Sequence, residues 1–221
     1  MKLEIFQDAF FRSLQGLARR RGVRTILEIG SGSGNGSTVA LTAGIREGRT
    51  DQTLWCLEAD PGRFADLQES VRGFSSVRPC WGSSVTRSGL PAWSEVEEWW
   101  DRHPGHFLHN YGREAVRGWW QADADSFSED LPQGLVATIM EKEGLAYFDL
   151  VLIDGSEFTG AEELRQVYGS RWIALDDVRT YKNWKNREIL KGDSVYRLWK
   201  EDLRLRHGFS IFKIKKGHFC F

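Results

Sequence analysis

Short apolar runs alternate with longer segments of helical periodicity through most of the chain. The apolar runs predict buried strands at residues 25–29, 54–57, 77–81, 148–153 and 172–175. Helices are predicted from Ser37, over residues 63–71 and from about Gly160, each between two strands. Strands that alternate with helices indicate βαβ units, so the pattern predicts an α/β domain with a mostly parallel sheet.

Both ends of the chain depart from this alternation. Residues 1–22 predict an amphipathic helix that ends in three arginines and Gly22. Its apolar positions are Leu3, Phe6, Phe10, Leu14 and Leu17. Residues 203–215 alternate apolar and polar around Gly208, which predicts the last two strands, joined by a tight or bulged turn. They bring the sheet to seven strands and close it with an antiparallel edge strand.

A long insertion, residues 83–147, separates the third and fourth predicted strands. It contains five of the ten tryptophans, and Trp93, Val96 and Trp100 share one face of a predicted helix. Two interpretations are open. The insertion is either a small subdomain anchored by aromatic side chains, or a lid or wall at the sheet edge where α/β proteins bind ligands.

Three histidines of the insertion have the spacing of a metal-binding trio: His103, His106 and His109. Pro104 and Gly105 interrupt any helix between the first two. Coordination of a metal from one side is therefore not expected here.

Composition indicates a single soluble domain over residues 1–221. The chain is 41% hydrophobic and 28% charged, and it lacks an apolar stretch of the ~18 residues that a membrane span needs. The N-terminal segment carries Glu4 and Asp8, whereas a signal peptide begins with basic residues. Cys56, Cys80 and Cys220 lack metal-ligand spacing. We therefore expect a cytoplasmic protein with reduced thiols. The formal net charge of −1 gives no overall attraction for nucleic acid, and the oligomeric state stays open, a homo-oligomer included.

The near-neutral total conceals an uneven distribution of charge. Residues 93–143 hold 11 acids and 4 bases, whereas residues 171–216 hold 13 bases and 6 acids. The basic stretch could face an anionic substrate. The simpler interpretation is a solvated helix face whose charges pair with the acidic segment.

The first predicted strand ends in a turn with glycine at every second position. Glu28 is followed by Gly30, Ser31, Gly32 and Gly34 in the pattern E-x-G-x-G-x-G. Glycines at such a turn allow a positive φ and the close approach of a ligand, although a tight turn alone explains them as well. The dinucleotide fingerprint G-x-G-x-x-G is absent, because no glycine stands five residues after Gly30 or Gly32.

The second predicted strand also ends in an acid. Glu58 lies 24 residues past Gly34, and in doubly wound folds an acid roughly 20 residues past the glycines binds the ribose hydroxyls of a cofactor. A carboxylate can accept hydrogen bonds from both hydroxyls. The nearby Asp60 is predicted to be the N-cap of the helix that Pro61 opens.

Three carboxylates are predicted at the ends of neighbouring strands. The fourth strand delivers Asp154 to the carboxyl edge of the sheet, and the fifth delivers Asp176 and Asp177. Acids in this arrangement repel one another unless a positive charge lies between them. A divalent cation such as Mg²⁺, Ca²⁺ or Mn²⁺ is the simplest such charge, since these ions prefer oxygen ligands.

The glycine turn and the acid after the second strand resemble the first motifs of class I S-adenosylmethionine (SAM) methyltransferases. The resemblance spans about residues 23–82 and 147–216. It implies a Rossmann-like, mostly parallel sheet of seven strands with one antiparallel edge strand, helices on both faces and the insertion between strands 3 and 4. It also implies SAM as cofactor, with the loop around the methionine part and Ser83 where the family usually has an acid at the adenine. The cofactor-binding residues implied are Glu28, Gly30, Ser31, Gly32, Gly34, Glu58, Ser83 and Asp154.

The later acids look like those of metal-dependent O-methyltransferases, including catechol-type and sugar O-methyltransferases. Mapped onto this chain, the metal ligands are Asp154, Asp176 and Asp177. A broader branch of the family reads Asp-Gly-Asp-His where this chain reads Asp-Gly-Ser-Glu, so Glu157 or Lys182 becomes the candidate base. The catalytic residues implied are Asp154, Glu157 and Lys182.

The resemblance implies O-methylation of a small hydroxylated acceptor, such as a sugar or a secondary metabolite. Two alternatives are a metal-independent N- or nucleic-acid methyltransferase, and a non-catalytic SAM-fold protein that binds partners through the Trp-rich insertion. The Asn-Pro-Pro-aromatic motif of amino-directed nucleic-acid enzymes does not follow the fourth strand. The presence of Glu28, the glycines and Glu58 disfavours a non-catalytic protein.

Overall fold

A seven-stranded sheet runs through residues 7–48 and 51–215, which the computed structural model describes. Its strands are β1 (Thr25–Ile29), β2 (Thr53–Glu58), β3 (Val77–Trp81), β4 (Leu150–Ile153), β5 (Trp172–Asp176), β6 (Tyr196–Asp202) and β7 (Phe209–Ile214). Their order is β3-β2-β1-β4-β5-β7-β6. The strands from β3 to β5 pair in parallel, whereas β7 is antiparallel to both β5 and β6. The predicted mostly parallel sheet with one reversed strand on its closing side is confirmed.

Helices cover both faces of the sheet, as predicted. They are α1 (Ala9–Ala18), α2 (Ser37–Glu47), α3 (Pro61–Val71), α4 (Trp93–Arg102), α5 (Arg113–Ser126), α6 (Leu135–Glu143), α7 (Gly160–Val167) and α8 (Tyr181–Gly192). One core lies between the sheet and α1, α2 and α3, and a second lies between the sheet and α6, α7 and α8. Within the described ranges, no helix combines the length and apolar character needed to cross a bilayer.

The central strands are covered on both faces. Every residue of β4 and β5 is buried, which explains why these strands are continuous apolar runs in the sequence. Helix α3 begins where its capping residues place it. Asp60 Oδ1 accepts a hydrogen bond from the backbone N–H of Arg63 at 2.7 Å, and Pro61 is the first helical residue.

The N-terminal helix is shorter than the predicted span of residues 1–22. Helix α1 begins after Asp8, whose carboxylate accepts a hydrogen bond from the backbone N–H of Phe10 at 2.8 Å. Phe10, Leu14 and Leu17 are fully buried, as the helical spacing predicts. Four residues named in the sequence analysis lie outside the described residues: Leu3, Glu4, Phe6 and Cys220.

The prediction of two strands within residues 203–215 is wrong in its boundaries. Strand β7 lies there, but its partner β6 comes earlier, and residues 203–208 connect the two. Asp202 Oδ1 accepts a hydrogen bond from the backbone N–H of Arg204 at 2.9 Å, which helps to turn the chain. Leu203 and Leu205 pack against the two cores. Their spacing therefore gives the alternation of apolar and polar residues that is typical of a strand. Strand β6 lies at the edge with three consecutive exposed residues, Trp199 among them, so it lacks the alternation of a half-buried strand.

The segment between β3 and β4 consists of two parts. Helix α6 packs against the sheet and belongs to the outer layer. Helices α4 and α5 build a third core with a short 3-10 helix at Phe107–Asn110. The buried members of this core are Val96, Trp100, Leu108, Val116 and Phe158. The aromatic side chains therefore anchor a small subdomain, as one of the two interpretations predicts.

Charge in the two unevenly charged segments is partly neutralised inside each segment. Arg113 pairs with Asp101 in the acidic segment, and Arg187 pairs with Glu201 in the basic one. These ion pairs differ from the predicted pairing of one segment with the other. The surface pairs are screened by solvent and contribute little to the choice of fold.

His106 is a buried polar residue of the insertion, only 3% exposed. Its ring centroid lies 4.5 Å from that of Trp99 and 3.9 Å from that of His109, and neither ring nitrogen has a hydrogen-bond partner in the described part of the chain. Burial, together with His109 and His103, lowers the pKa of His106 to about 4. The histidines therefore form a packed ring cluster, and no metal-holding group of three or more ligands is found among the described residues.

The low pKa of His106 predicts a loss of stability in acid. The folded protein keeps this ring neutral down to about pH 4, whereas the unfolded chain protonates it near pH 6.5. This contribution is fully present above pH 6.5 and is lost as the pH falls toward 4. His106→Phe retains a buried ring without a titrating group, so urea unfolding across this range should show a smaller loss than in the wild type. Equal losses in the two proteins contradict this prediction.

Candidate active site

The glycine turn after β1 packs against two neighbouring elements. Gly30, Gly32 and Gly34 have φ angles of 83°, 55° and 78°, which favour glycine. A Cβ on Gly30 would lie 2.1 Å from the carbonyl oxygen of Asp154, and one on Gly34 would lie 2.1 Å from Ser70 Oγ on α3. A Cβ on Gly32 would have no described atom within 4 Å. Packing therefore requires Gly30 and Gly34, whereas the space beside Gly32 is open.

Glu28 lies at the end of β1 and is fully buried. Its carboxylate accepts hydrogen bonds from the hydroxyls of Ser31 at 2.8 Å, Ser37 at 2.5 Å and Thr38 at 2.7 Å. Burial raises the pKa of Glu28, and these hydrogen bonds oppose the rise. Glu28 thus ties the turn to the start of α2, and its role in any ligand site is to shape the turn. The contacts of Ser37 and Thr38 with Glu28 were not predicted. Two hydroxyl residues at the start of a helix that follows a buried acid are nevertheless a sequence signal for such contacts.

Glu58 ends β2 next to the open space beside Gly32. Its Oε2 accepts a hydrogen bond from the backbone N–H of Gly32 at 2.8 Å, and its Oε1 accepts one from that of Asp60 at 2.9 Å. Two backbone donors fix the carboxylate, while each oxygen keeps capacity for a further hydrogen bond. The structure therefore brings the glycine turn and Glu58 together, as the motifs predict.

Ser83 follows β3 at the same edge of the sheet. Its backbone N–H donates to the carbonyl of Pro132 at 2.8 Å, and its Oγ accepts from the backbone N–H of Val85 at 3.3 Å. The next residue, Ser84, donates to Glu163, a fully buried carboxyl whose pKa is raised by burial. Glu163 was missed because a polar residue on an amphipathic helix carries no sequence signal of burial.

The acids after β4 and β5 lie on either side of a lysine. Lys182 Nζ donates to Asp154 Oδ1 at 2.9 Å and to Asp177 Oδ2 at 3.0 Å. The lysine side chain is 8% exposed. Burial lowers the pKa of Lys182, but Asp154 and Asp177 outweigh it and raise the pKa well above its ordinary value. The ammonium of Lys182 is thus the positive charge between the two acids.

Further cations reach the acids from the segment before β7. An Arg206 guanidinium nitrogen donates to Asp176 Oδ2 at 2.9 Å, and His207 Nδ1 lies 3.1 Å from Asp177 Oδ1. Burial raises the pKa of Asp176, and Asp177 adds to the rise. Burial also opposes ionisation of Asp177, but Lys182 and His207 outweigh it and lower its pKa. Arg206 and His207 could not be predicted as partners of these acids, because each lies 30 residues from the acid that it contacts.

This arrangement does not fit a divalent metal ion. Asp154 and Asp177 each direct an oxygen to Lys182, and Asp176 directs one to Arg206. A metal held by these acids would lie within a few ångströms of an ammonium, in a buried site where like charges repel strongly. The positive charge predicted between the acids is present, but it belongs to the chain itself.

The first turn of α8 joins the ends of β4 and β5. Glu157 Oε1 accepts a hydrogen bond from the backbone N–H of Lys182 at 2.9 Å, and burial raises the pKa of Glu157 to about 7. Asn183 Nδ2 donates to the carbonyls of Ile153 at 3.0 Å and Asp176 at 2.7 Å. The bounds of this helix were not predicted from the sequence, and neither was the contact between Glu157 and Lys182.

The insertion contacts the loops after β4 and β5. The ring of Trp99 in α4 lies 5.1 Å from that of Tyr181, and Ser156 donates a hydrogen bond to Asp123 in α5. These contacts place the insertion at the end of the sheet that carries the acids, which is the position that the lid or wall interpretation requires.

A cavity of about 480 Å³ lies elsewhere, lined by basic and aromatic residues that include Arg20, Arg171, Trp172 and Lys213. Trp172 is the first residue of β5, so this cavity is at the amino end of a parallel strand. Ligands of such sheets bind at the carboxyl ends. The glycine turn and the acid–lysine cluster therefore form the candidate site.

The glycine turn yields a matched pair of substitutions. Gly32→Ala places a side chain at positive φ in open space and should cost about 1–2 kcal/mol. Gly30→Ala has the same cost and also collides with the Asp154 backbone, so its loss of stability in urea unfolding should be clearly larger. Equal losses would mean that β1 and β4 can separate at this point, contrary to the packing described.

Comparison with known proteins identifies the fold. No family model matches the sequence, and no curated protein matches it. The O-methyltransferase of Bacillus cereus in complex with S-adenosylhomocysteine (SAH) gives a TM-score of 0.56 at 16% identity, over 93% of this chain and 80% of that one. TomG, an O-methyltransferase of Streptomyces achromogenes in complex with SAM, gives 0.57 at 17% identity, over 93% and 79%. A methyltransferase of Geobacter sulfurreducens gives 0.58 at 11% identity, over 96% and 81%. The chain therefore has the fold of these methyltransferases.

Proposed function

We propose that this protein is a SAM-dependent methyltransferase that methylates an oxygen of a small hydroxylated acceptor, such as a sugar or a secondary metabolite. The observation that carries the proposal is the Glu58 carboxylate, fixed on the N–H of Gly32 beside an open space at the strand ends. The similarity of the fold to methyltransferases with SAM or SAH bound supports it.

The residues around the glycine turn fit this cofactor. The open space beside Gly32 lets the methionine part approach the backbone, and Glu58 accepts hydrogen bonds from both ribose hydroxyls. Ser83, at the end of β3, offers a hydroxyl on the adenine side. When bound, SAM supplies a methyl group that is activated by a positively charged sulfur.

At the acceptor end, Glu157 is the residue suited to take the hydroxyl proton. Its pKa of about 7 lies where a general base is most effective at neutral pH. Lys182, the other candidate base, is unsuited to this role because Asp154 and Asp177 keep its ammonium protonated. Asp154 therefore acts through Lys182, as the group that holds it in place.

The insertion supplies the acceptor side of the site in this proposal. Trp99 and Tyr181 present aromatic rings beside the loops that follow β4 and β5, and flat apolar rings of this kind stack on sugar or aromatic acceptors. The hydrogen bond between Ser156 and Asp123 holds α5 against the same loops.

Glu58→Ala is expected to weaken SAM binding at least tenfold, about 1.4 kcal/mol, because the ribose hydroxyls lose their acceptor. Isothermal titration calorimetry with SAM and SAH measures the change. Asp60→Ala is the matched control, since it removes a neighbouring acid that caps α3 and leaves the carboxylate of Glu58 in place. Unchanged SAM affinity in Glu58→Ala, or binding of NADH without SAM, contradicts the proposal.

The pH dependence of turnover tests Glu157. Turnover should fall as the pH drops below about 7, because protonated Glu157 cannot accept the hydroxyl proton. Glu157→Gln keeps an oxygen for the backbone N–H of Lys182 but removes the base, so kcat should fall about 10²–10⁴-fold and lose its titration near neutral pH. The assay is SAH release from a panel of sugars and catechols at a series of pH values. A titration near pH 7 that persists in Glu157→Gln assigns the base to another group.

A further inference from the structure

We propose that the ammonium of Lys182 is the resident cation of the acceptor site, where it replaces a divalent metal and donates a hydrogen bond to the oxygen that receives the methyl group. The inference rests on the proposed function, because it concerns the same site. It predicts a methyltransferase that needs no metal ion.

The contacts of Lys182 support both parts of this role, the replacement of a metal ion and the donation of a hydrogen bond to the acceptor oxygen. An ammonium has three N–H donors, and Asp154 and Asp177 accept two of them, at 2.9 and 3.0 Å. The third N–H makes no further hydrogen bond in the described part of the chain, and in this proposal it donates to the acceptor oxygen. Because the two acids come from different strands, Lys182 lies between the ends of β4 and β5, where a metal shared by these acids would lie.

Several contacts prevent Lys182 from moving aside for a metal. Its backbone N–H is held by Glu157, and the next residue, Asn183, is hydrogen-bonded to the carbonyls of the last residues of β4 and β5. The side chain is 8% exposed, so the ammonium has little access to the water that it would need on leaving Asp154 and Asp177.

The remaining acid is also unavailable to a metal. Asp176 Oδ2 accepts from Arg206 at 2.9 Å, and Asp176 Oδ1 accepts from the backbone N–H of Asp177 at 3.1 Å. Mg²⁺ requires near-octahedral oxygen ligands at about 2.0–2.1 Å. Such a set would form here only if three ion pairs, two of Lys182 and one of Arg206, were broken.

The reaction balances with these groups. The acceptor hydroxyl gives its proton to Glu157 while its oxygen forms a bond to the methyl carbon; the carbon–sulfur bond breaks and SAH leaves. Lys182 keeps its proton throughout and stabilises the negative charge that develops on the oxygen. Removal of one such preorganised donor typically lowers kcat by about 10²–10³-fold.

Lys182→Met tests the role of the charge, because it keeps an unbranched side chain of nearly the same length and removes its donors. We expect kcat to fall about 10²-fold or more while SAM affinity, measured by calorimetry, changes little. Lys185→Met, an exposed position on the same helix, is the matched control and should retain full turnover. Wild-type kcat in Lys182→Met overturns the inference.

Titration of the wild-type protein with Mn²⁺, followed by electron paramagnetic resonance in the presence of SAH, gives a readout that needs no variant. We expect no Mn²⁺ bound at the acid cluster and full turnover in EDTA. Lys182→Ala should free Asp154 and Asp177 and create a Mn²⁺ site that the wild type lacks. Loss of turnover in EDTA with recovery in Mg²⁺ overturns the inference, as does tight Mn²⁺ binding to the wild type. A wild type that binds no SAM refutes the proposed function instead, so the two failures are distinct.

Discussion

The paired contacts of Lys182 with Asp154 and Asp177 connect β4, β5 and α8 at the point where the candidate site lies. Buried charges lose the hydration that they have in the unfolded chain, and an ion pair offsets this loss only when its geometry is good. Both contacts are 3.0 Å or shorter. Since Asp154 directly follows β4, Asp177 directly follows β5 and Lys182 belongs to α8, none of the three elements can shift without leaving a buried charge unpaired.

Neighbouring groups hold this cluster in an unusual backbone geometry. Asp177 has a φ of 54°, in the left-handed region that residues other than glycine seldom adopt. Its carboxylate is held from two sides, by Lys182 and by His207. Asn183 fixes the carbonyl of the preceding Asp176. The strain at Asp177 is therefore confined to one residue, and it aims the carboxylate at Lys182.

Most of the fold could be predicted from the sequence, because β1, β2, β4 and β5 are almost entirely buried and stand out as apolar runs. The glycine turn, Glu58 and the Asp60 cap were equally visible, since each acts within a few residues or at the end of a predicted strand. Strand β6 was hidden by its exposed edge position. The repulsion among Asp154, Asp176 and Asp177 predicted a cation. Local sequence patterns, however, did not show which residues supply it.

The cations that contact these acids could not be predicted because their positions depend on the order of the strands in the sheet. Lys182 follows β5 in a helix that was not recognised, and Arg206 returns to Asp176 only because β7 inserts antiparallel between β5 and β6. Pairing between residues 30 positions apart depends on that strand order. A sequence pattern shows which charges are present, whereas the order of strands in the sheet determines which of them meet.

The two ends of the candidate site are built by different interactions. At the proposed cofactor end, Glu28 accepts hydrogen bonds from hydroxyl groups and Glu58 accepts them from backbone N–H groups, so neither acid has a cationic partner among these contacts. At the acceptor end, three aspartates face two permanent cations, Lys182 and Arg206, with His207 as a titrating third. In the proposed function, a divalent ion in the same space would add two positive charges beside Lys182, Arg206 and the sulfonium, whereas Lys182 offers its donor with a single charge.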